Sequence, residues 1–453
     1  MFRRVLVANR GEIAVRVIRA LHELGVEAVA VYSTADSDAL HVKLADRAVC
    51  LGPPPATDSY LRIASVVAAA ETTGCEAVHP GYGFLAENST FARACADNDL
   101  VFIGPSPEVM DMLGDKARAK VAMRDAGVPL VPGSPNAGTL AELRAVAEEI
   151  GFPVLLKATA GGGGKGMRLV GDPASFEASF QAASTEAEAA FGDGSVYVEK
   201  AVSPARHVEI QVICDTHGNV LTLGERECSV QRRHQKLIEE SPSPALTPET
   251  REEMELAVER ACRAVGYVNA GTFEFILGHE GHPYFIEVNC RLQVEHPVTE
   301  LVTGIDLVRE QLRVAAGEQL AHVGRAPRRG HAIEIRLNAE DPAHGFRPAP
   351  GLVERFRPPL GPGVRVDTAI ADGVSVPPYY DSMIAKLIVH DDDRPAAIAR
   401  ALRALAELEV VGIPTTRELA MDVLRSEGFV SGDYSTGYLE EMGPSFSSLQ
   451  PPT

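Results

Sequence analysis

Polar and apolar residues alternate without a break from Glu287 to Glu295. Successive side chains of an extended chain point to opposite faces, so an alternation of this length predicts a β-strand. If the whole stretch is extended, one face carries two carboxylates, two amides and a guanidinium. A solvated strand does not need that mixture, which offers oxygen atoms for a cation beside donors for an anion. The residues of this face are Glu287, Asn289, Arg291, Gln293 and Glu295.

The residues before this stretch predict that it forms the second strand of a hairpin. Two strand-like segments, 272–276 and 283–287, flank a glycine-rich turn. Pairing the strands about the middle of the turn places Glu274 opposite Glu287, with Asn289 on the same face. Opposed carboxylates are destabilising unless a positive charge lies between them, and Mg²⁺ binds oxygen ligands of this kind. The alternative is a solvent-facing hairpin whose register is accidental.

Length and composition limit what such a chain can be. At 453 residues, the chain is too long for one compact core, and three or so domains are expected. Its net charge of −19 argues against a nucleic-acid surface. No apolar run reaches the length of a membrane span, about 20 residues, so we expect a cytoplasmic protein that does not enter a membrane. Seven dispersed cysteines, without a Cys-x-x-Cys spacing, indicate reduced thiols and argue against a zinc site.

The N-terminal part of the chain predicts an α/β domain of about 110 residues. A strand at 4–8, a helix at 11–24 and a strand at 26–32 form a βαβ unit. The first turn, 9–12, lacks the G-x-G-x-x-G pattern, so no dinucleotide site is expected there. The long loop 79–88 follows the carboxyl end of a predicted strand, which is where ligands bind in open α/β sheets.

A glycine-rich segment at 161–166 follows a predicted strand at 154–158. It contains G-x-G-x-x-G, but no helix is predicted after it and no Ser or Thr follows Lys165, so neither the dinucleotide-binding nor the P-loop template fits. Successive glycines let backbone N–H groups approach an anion closely. A mobile linker is the alternative interpretation. Lys157 before the loop and Lys165 within it favour a phosphate-binding flap.

Four later segments carry predictions of their own. The polar run 225–236 is typical of a solvated edge strand. A linker rich in Pro, Gly and Arg at 322–330 precedes a strand at 331–340 and a helix at 395–407, which indicate a third domain. The tail 443–453 is rich in Ser and Pro, and we expect it to be disordered.

Seven motifs, in this order along the chain, resemble those of the biotin carboxylases, the ATP-grasp component of biotin-dependent carboxylases. The resemblance implies an α/β (α+β) fold in three parts: a Rossmann-like domain at 1–115, an ATP-grasp domain at 116–328 with a mobile glycine-rich lid at about 130–200, and a C-terminal domain at 329–445. Residues 446–453 would remain as a disordered tail. The motifs cover Ala8–Ala14, His79–Asn88, Gly161–Met167, Arg206–Glu209, Gln231–Lys236, Arg291–Glu300 and Tyr379–Ile384.

The reaction implied by the resemblance is ATP-dependent carboxylation, by bicarbonate, of the biotin on a carrier protein. It would proceed through carboxyphosphate as the first half-reaction of an acetyl-CoA or other acyl-CoA carboxylase. Phosphoryl transfer is catalysed by positioning and charge neutralisation, which needs a metal and cations around the triphosphate. The implied Mg²⁺ (or Mn²⁺) ligands are Glu274, Glu287 and Asn289. The implied ATP contacts are Lys116, Lys157, Gly162, Gly163, Gly164, Glu199, Lys200, Val202, His207, Gln231, His234, Glu274 and Glu287.

The resemblance also implies the sites for bicarbonate and biotin. Glu295 would act as the base, and the planar guanidinium of Arg291 would stabilise the resulting dianion. Arg336 would stabilise the oxyanion that develops on biotin, and an ion pair with Glu334 or Glu340 is its structural alternative. The implied bicarbonate contacts are Lys236, Arg291, Gln293, the Val294 N–H and Glu295, and the implied biotin contacts are Tyr82, Arg336 and Asp381, with Glu87 in a supporting or purely structural role. The implied catalytic residues are Glu295, Arg336, Arg291 and Lys236. Because the metal and the anion must meet at the γ-phosphate, we expect the backbone to turn between Asn289 and Arg291 and not to stay extended to Glu295.

Two departures from the family pattern affect these expectations. Cys290 stands where threonine is expected, and on the apolar face we expect it to pack as a small hydrophobic residue. No Met-Lys-Met biotinylation signature occurs, so we expect biotin to arrive on another polypeptide or on a segment outside this sequence. The implied partners are therefore a biotin carboxyl carrier protein, a carboxyltransferase subunit and a second copy of the chain in a homodimer. Two alternatives stay open, namely an ATP-grasp ligase that activates a different carboxylate and a non-catalytic ATP-binding subunit.

Overall fold

The structure is a computed structural model that describes residues 1–159, 167–278 and 281–450. Its first sheet is parallel, with the strand order β3-β2-β1-β4-β5. The βαβ unit predicted at the N-terminus is confirmed, because the helix buries Ile13, Val17, Ile18 and Leu21 against this sheet. The elements are β1 Arg4–Val7, α1 Gly11–Glu23, β2 Glu27–Ser33, α2 Leu40–Leu44, β3 Arg47–Gly52, α3 Ile63–Thr73, β4 Ala77–His79, α4 Ser89–Asp97 and β5 Val101–Phe102.

A small three-stranded antiparallel sheet follows, with the order β7-β6-β8. The helix before it begins with a capping box, in which Thr139 and Glu142 satisfy each other's backbone N–H groups. Leu143, Phe176 and Val198 form part of a separate small core. The glycine-rich flap predicted at 161–166 lies outside the described residues. The elements are α5 Pro107–Gly114, α6 Lys116–Asp125, α7 Leu140–Ile150, β6 Val154–Ala158, β7 Met167–Val170, α8 Phe176–Phe191 and β8 Val196–Lys200.

The largest sheet runs in the order β13-β12-β9-β10-β11-β15-β22-β20, and a ninth strand, β14, pairs with β10. The sheet continues past the linker at 322–330, because β11 pairs antiparallel with β15. Its elements are β9 Arg206–Cys214, β10 Val220–Arg232, β11 Gln235–Ser241, α9 Pro248–Val265, β12 Asn269–Leu277, β13 Pro283–Asn289, α10 His296–Thr303, α11 Leu307–Ala315, β14 Gly324–Arg325 and β15 His331–Asn338. The C-terminal elements are β16 Glu340–Asp341, β17 Arg347–Pro348, β18 Gly351–Val353, β19 Arg355–Arg357, β20 Val364–Thr368, β21 Val374–Val376, β22 Met383–Asp391, α12 Arg394–Glu407, β23 Glu409–Val411, α13 Arg417–Arg425, α14 Glu427–Ser431 and α15 Tyr438–Met442.

The prediction of a solvated edge strand at 225–236 is wrong. Strand β10 lies inside the largest sheet, between β9 and β11, and Glu225, Arg226 and Glu227 are each at most 1% exposed. A run of charges is solvated only when no countercharges reach it. Here Arg226 pairs with Glu209, and Glu225 pairs with Arg251.

The expectation of a disordered tail is wrong for residues 443–450. Two 3₁₀ turns, Gly443–Ser445 and Ser447–Leu449, continue the chain beyond α15. Phe446 between them is buried and packs against Tyr438. An apolar anchor of this kind holds a polar tail on the surface. Residues 451–453 lie outside the described part of the chain.

Two further features bear on the sequence expectations. Cys290 is 4% exposed and belongs to the core between β12, β13 and α9, so its packing as a small hydrophobic residue is confirmed. Within the described ranges, none of the helices has both the length and the apolar character needed to cross a bilayer.

Candidate active site

A row of charged residues crosses four neighbouring strands of the largest sheet. Glu287 on β13 lies opposite Glu274 on β12, as the hairpin pattern predicts. Glu274 in turn lies opposite Glu209 on β9, and Glu209 lies opposite Arg226 on β10. Three adjacent carboxylates on one face repel one another unless cations lie among them. This row is therefore where the fold concentrates negative charge.

The polar alternation does not continue as a strand to Glu295. Strand β13 ends at Asn289, and the chain turns before α10 begins at His296. The physical reason is packing, because Leu292 is fully buried in the core against the N-terminal domain, and Pro297 lies in the first turn of α10. The end of β13 at Asn289 confirms the expectation that the backbone turns between Asn289 and Arg291.

The side chains of that predicted face nevertheless converge. The amides of Asn289 and Gln293 donate to Oε1 of Glu274 at 2.7 and 3.0 Å. Arg291 donates to Oε1 of Gln293 at 2.8 Å and to Oδ1 of Asn289 at 3.0 Å. Glu87 accepts from Nε of Arg291 and from the backbone N–H of residue 290, both at 2.9 Å. Glu87 therefore anchors the segment that carries the guanidinium.

The ammonium of Lys236 lies among three carboxylates. Its Nζ is 2.7 Å from Oε2 of Glu209, 3.1 Å from Oε1 of Glu274 and 2.6 Å from Oε1 of Glu295. Burial alone would lower the pKa of Lys236, but the acidic groups around it raise that pKa well above its ordinary value. The side chain stays charged and joins the row of carboxylates to Glu295.

Glu295 is fully buried and lies between two cations. Its Oε1 contacts Lys236, and its Oε2 accepts from Nη2 of Arg336 at 2.9 Å. Burial alone would raise the pKa of Glu295, but the surrounding cations lower it well below its ordinary value. Glu295 is therefore ionised throughout the neutral range.

Arg336 has a second partner that the sequence did not indicate. Its Nε donates to Oε1 of Glu239 at 2.6 Å, and its Nη2 is 2.5 Å from the same oxygen. The predicted alternative, an ion pair with Glu334 or Glu340, is wrong, because the partners are Glu239 and Glu295. Burial and the neighbouring Glu295 carboxylate raise the pKa of Glu239 to about 7, although Arg336 opposes this shift.

A second group of cations lies around the buried carboxylate of Glu199. Lys157 lies 2.5 Å from Oε2 of Glu199, and Lys120 contacts the other oxygen of the same buried carboxylate. Burial lowers the pKa of Lys116. Lys200 donates to the carbonyls of Gly151 and Phe152 at 2.9 and 3.1 Å, so its ammonium supports the backbone.

A cavity of about 1050 Å³ connects these groups with the loop 79–88 and with the C-terminal part of the chain. Three of the predicted site residues that the structure describes, Lys200, Val202 and Glu295, do not line the cavity. Glu295 lies behind Lys236 and Arg336. The predicted contacts Gly162, Gly163 and Gly164 lie outside the described residues. The predicted site residues that line the cavity are Tyr82, Lys116, Lys157, Glu199, His207, Gln231, His234, Lys236, Glu274, Glu287, Asn289, Arg291, Gln293, Val294, Arg336 and Asp381.

Glu274 and Glu287 fit a divalent cation. Burial and the Glu274 carboxylate opposite it raise the pKa of Glu287, and a cation between the two carboxylates would relieve their repulsion. Asn289 adds an amide oxygen at the same end of the strand. Mg²⁺ prefers oxygen ligands and keeps positions for phosphate oxygens and water.

Sequence reasoning did not identify Glu209, Arg226, Glu239 or Lys120 as part of the site. For Glu209 a signal exists, because His207, Glu209 and Gln211 alternate with apolar residues in the same way as the hairpin strand does. Arg226 is fully buried and donates to four residues on three other elements, namely Glu209 and Gln211 on β9, Thr272 on β12 and Thr299 on α10. No local pattern reports such contacts.

Replacing Arg226 with methionine is expected to lower the free energy of unfolding by about 3–5 kcal/mol, because the change removes one partner of a buried ion pair. Thermal unfolding followed by circular dichroism measures the shift in midpoint. The control is Arg403→Met in the exposed pair with Glu407, where a change within about 0.5 kcal/mol is expected. Equal shifts of the unfolding midpoint in the two variants would mean that Lys236 alone balances the buried charge of Glu209.

Comparisons with known proteins identify the family. Models of the "Biotin carboxylase, N-terminal domain", the "Carbamoyl-phosphate synthase L chain, ATP binding domain" and the "Biotin carboxylase C-terminal domain" match residues 1–110, 115–323 and 334–441. The chain is 52% identical to the biotin carboxylase of Nostoc sp. over 443 residues, which cover 97% of this chain and 99% of that protein. The chain belongs to the biotin carboxylases. Biotin carboxylase 1 of Bacillus subtilis is also 52% identical, over 97% of this chain and 98% of that protein.

Solved structures of biotin carboxylases have the same architecture. The biotin carboxylase domain dimer of Hydrogenobacter thermophilus 2-oxoglutarate carboxylase, in complex with Mg-ADP, ADP and bicarbonate, superposes with a TM-score of 0.93 at 48% identity, over 99% of both chains. The biotin carboxylase subunit of a pyruvate carboxylase matches with a TM-score of 0.87 at 49% identity, also over 99% of both chains. The family inferred from the motifs and its three-part fold are therefore confirmed.

Proposed function

We propose that this chain catalyses the ATP-dependent carboxylation of biotin by bicarbonate, as the first half-reaction of a biotin-dependent carboxylase. The observation that carries the proposal is the position of Glu295. This buried, ionised carboxylate lies between Lys236 and Arg336. Lys236 also contacts Glu274, one of the two carboxylates suited to a metal. An anion-binding group and a metal-binding group that line one cavity, with a base directly behind Lys236 and Arg336 in its wall, match a reaction that activates bicarbonate with ATP.

ATP would bind across the cavity, with its phosphates near Lys116, Lys157 and His207. Mg²⁺ bound to Glu274, Glu287 and Asn289 would neutralise charge on the phosphates and hold their geometry. His207 Nε2 lies 2.9 Å from Oε2 of Glu274, so it supports that carboxylate from the phosphate side.

The adenine end of ATP is proposed near Glu199, Lys200 and Val202. Gln231 and His234 line the cavity at the turn between β10 and β11 and would contact the ribose and the phosphates. The glycines at 162–164 remain a proposal based on the family motif alone.

We call Arg291, Gln293 and the Val294 N–H the bicarbonate cradle. The fork of Arg291 suits two oxygens of a planar anion, and Lys236 lies between the cradle and Glu295. Bicarbonate bound there would compete with Glu295 for the Lys236 ammonium. That competition would raise the pKa of Glu295 toward a value suited to a general base.

The deprotonated bicarbonate would attack the γ-phosphorus of ATP and form carboxyphosphate with release of ADP. Carboxyphosphate would then release CO₂ and phosphate within the site. The phosphate would accept the N–H proton of the ureido group, and the ureido nitrogen of biotin would form its bond to the carbon of CO₂. Arg336 would stabilise the negative charge that develops on the ureido oxygen. Tyr82 and Asp381, which line the same cavity, would position biotin.

Partners and boundaries are part of the proposal. A biotin carboxyl carrier protein would deliver biotin, a carboxyltransferase subunit would use the product with acetyl-CoA or another acyl-CoA as acceptor, and two copies of the chain would form a homodimer in the cytoplasm. The dimer of the 2-oxoglutarate carboxylase domain supports the last arrangement. The boundaries at about residues 115 and 328 are proposed as domain limits, with the lid at about 130–200, although the largest sheet continues from β11 to β15.

Bicarbonate-dependent ATP hydrolysis, measured with purified protein, Mg²⁺ and free biotin, tests this function. We expect phosphate release that requires bicarbonate and rises with biotin, together with formation of carboxybiotin from labelled bicarbonate. Omitting Mg²⁺ should abolish both. An active protein that hydrolyses ATP without bicarbonate would favour another ATP-grasp ligase. ATP binding without any hydrolysis under these conditions would indicate a non-catalytic subunit.

A further inference from the structure

The first turn of the N-terminal domain, residues 9–12, contacts the biotin side of the cavity. The side-chain amide of Asn9 donates to the carbonyls of Pro80 and Tyr82 at 2.7 and 2.8 Å. The hydroxyl of Tyr82 donates to Oε1 of Glu12, a carboxylate that is 6% exposed. The turn therefore fixes both the backbone and the side chain of the proposed biotin contact.

Glu12 has a second partner, which comes from the C-terminal part of the chain. Lys386 lies in the middle of β22, is fully buried and does not line the cavity. Its Nζ lies 3.3 Å from Oε1 of Glu12 and donates to the carbonyl oxygen of Val294 at 2.7 Å. On the sheet, Lys386 is the direct neighbour of Arg336. One ammonium thus contacts both the N-terminal turn and the bicarbonate cradle.

We propose that Lys386 is a positioning residue for bicarbonate, that Glu12 is its countercharge, and that this pair links the bicarbonate cradle to Tyr82 on the biotin side. The inference rests on the function proposed above. The carbonyl that Lys386 holds belongs to the peptide between Val294 and Glu295. Fixing this peptide orients the Val294 N–H, which precedes it in the chain, and the side chain of Glu295, the proposed base, which follows it.

Energetics favour a specific role over a general contribution to stability. Burying an ammonium and a carboxylate costs more than packing apolar residues of the same volume, so such a pair is retained for geometry or function more readily than for stability. Glu334 and Asp367 also face Lys386, and Arg365 pairs with Asp367, so the ammonium stays charged in an acidic environment. A charged donor fixes a carbonyl more firmly than a neutral donor does.

Steady-state kinetics of Lys386→Met test the proposal, since methionine has a similar length and no donor. We expect the KM for bicarbonate to rise by about tenfold or more, as for loss of a charged hydrogen bond, while the KM for ATP stays within about twofold. If Lys386 only stabilised the fold, its loss would not raise the KM for bicarbonate more than the KM for ATP. Bicarbonate-dependent activity of the unaltered enzyme tests the proposed function. If that activity is present and the KM values of Lys386→Met do not separate, only the positioning role of Lys386 fails.

Two further variants control for folding. Arg251→Met removes another largely buried cation, which pairs with Glu225 outside the cavity, and is expected to lower stability without separating the KM values. In the double variant Glu12→Gln/Lys386→Met, the amide oxygen can still accept from Tyr82, and residue 12 no longer carries a charge that has lost its partner. We expect this variant to unfold at a higher temperature than Lys386→Met and to keep the raised KM for bicarbonate. An unchanged KM for bicarbonate in either variant, or equal increases in both KM values, would overturn the proposal.

Discussion

Replacing Glu295 with glutamine is expected to lower turnover by about 10²–10⁴-fold and to leave ATP binding nearly unchanged. Glutamine keeps the shape of the side chain but cannot accept a proton from bicarbonate. Glu295 does not line the cavity directly and contacts it through Lys236 and Arg336, so the nucleotide contacts are preserved. Single-turnover phosphate release and titration with an ATP analogue measure the two effects separately.

The matched control for this variant is Glu240→Gln. Glu240 follows Glu239 on β11, is 1% exposed and pairs with His331 and Arg394 away from the cavity. Its replacement should lower stability and change turnover little. Unchanged turnover in Glu295→Gln would remove Glu295 from the role of base. A large loss of ATP binding would instead assign Glu295 to the nucleotide site.

Arg336→Ala is expected to lower carboxylation of biotin by about 10²–10³-fold, far more than it weakens ATP binding. The variant also removes the cation shared by Glu239 and Glu295, both of which are fully buried. Loss of a positive neighbour raises the pKa of a carboxylate. Because Glu295 must be ionised to act as the base, activity is lost as the pH falls through its pKa, and the acid limb of the pH–rate profile should move to higher pH.

Arg394→Ala is the matched control for Arg336→Ala, because its guanidinium pairs with Glu240 in a comparably buried position. Both variants should be destabilised, but only Arg336→Ala should change the ratio of carboxybiotin formation to ATP binding and shift the pH profile. Equal losses of binding and carboxylation in Arg336→Ala would point to a folding defect. An unshifted acid limb would contradict the contact between Arg336 and the base.

The local geometry of the site follows from short-range patterns. The hairpin register that opposes Glu274 and Glu287 depends only on a period of two and a short turn, both of which are visible in the sequence. The N-terminal βαβ unit is predictable for the same reason, because apolar spacing fixes both the strand and the helix.

Prediction from the sequence fails where charged residues are buried by partners from other strands. The polar run at 225–236 resembles an exposed edge strand only while its countercharges are unknown. Once β9 and β11 flank it, Arg226 reaches Glu209, and the central charges become buried. The polar composition of the tail predicted disorder, but one aromatic residue, Phe446, is buried against Tyr438 and holds residues 443–450 on the surface.

The sequence by itself determined the family, the βαβ start of the fold and the opposition of Glu274 and Glu287, because each depends on motifs or on neighbours along the chain. Only the tertiary structure decided how Glu295, the proposed base, is held. Lys236 and Arg336 lie 59 and 41 residues from Glu295, and Lys386 lies 92 residues from Val294. These contacts form because β11 pairs with β15 and β15 with β22, and such long-range pairing leaves no periodic signal in the chain.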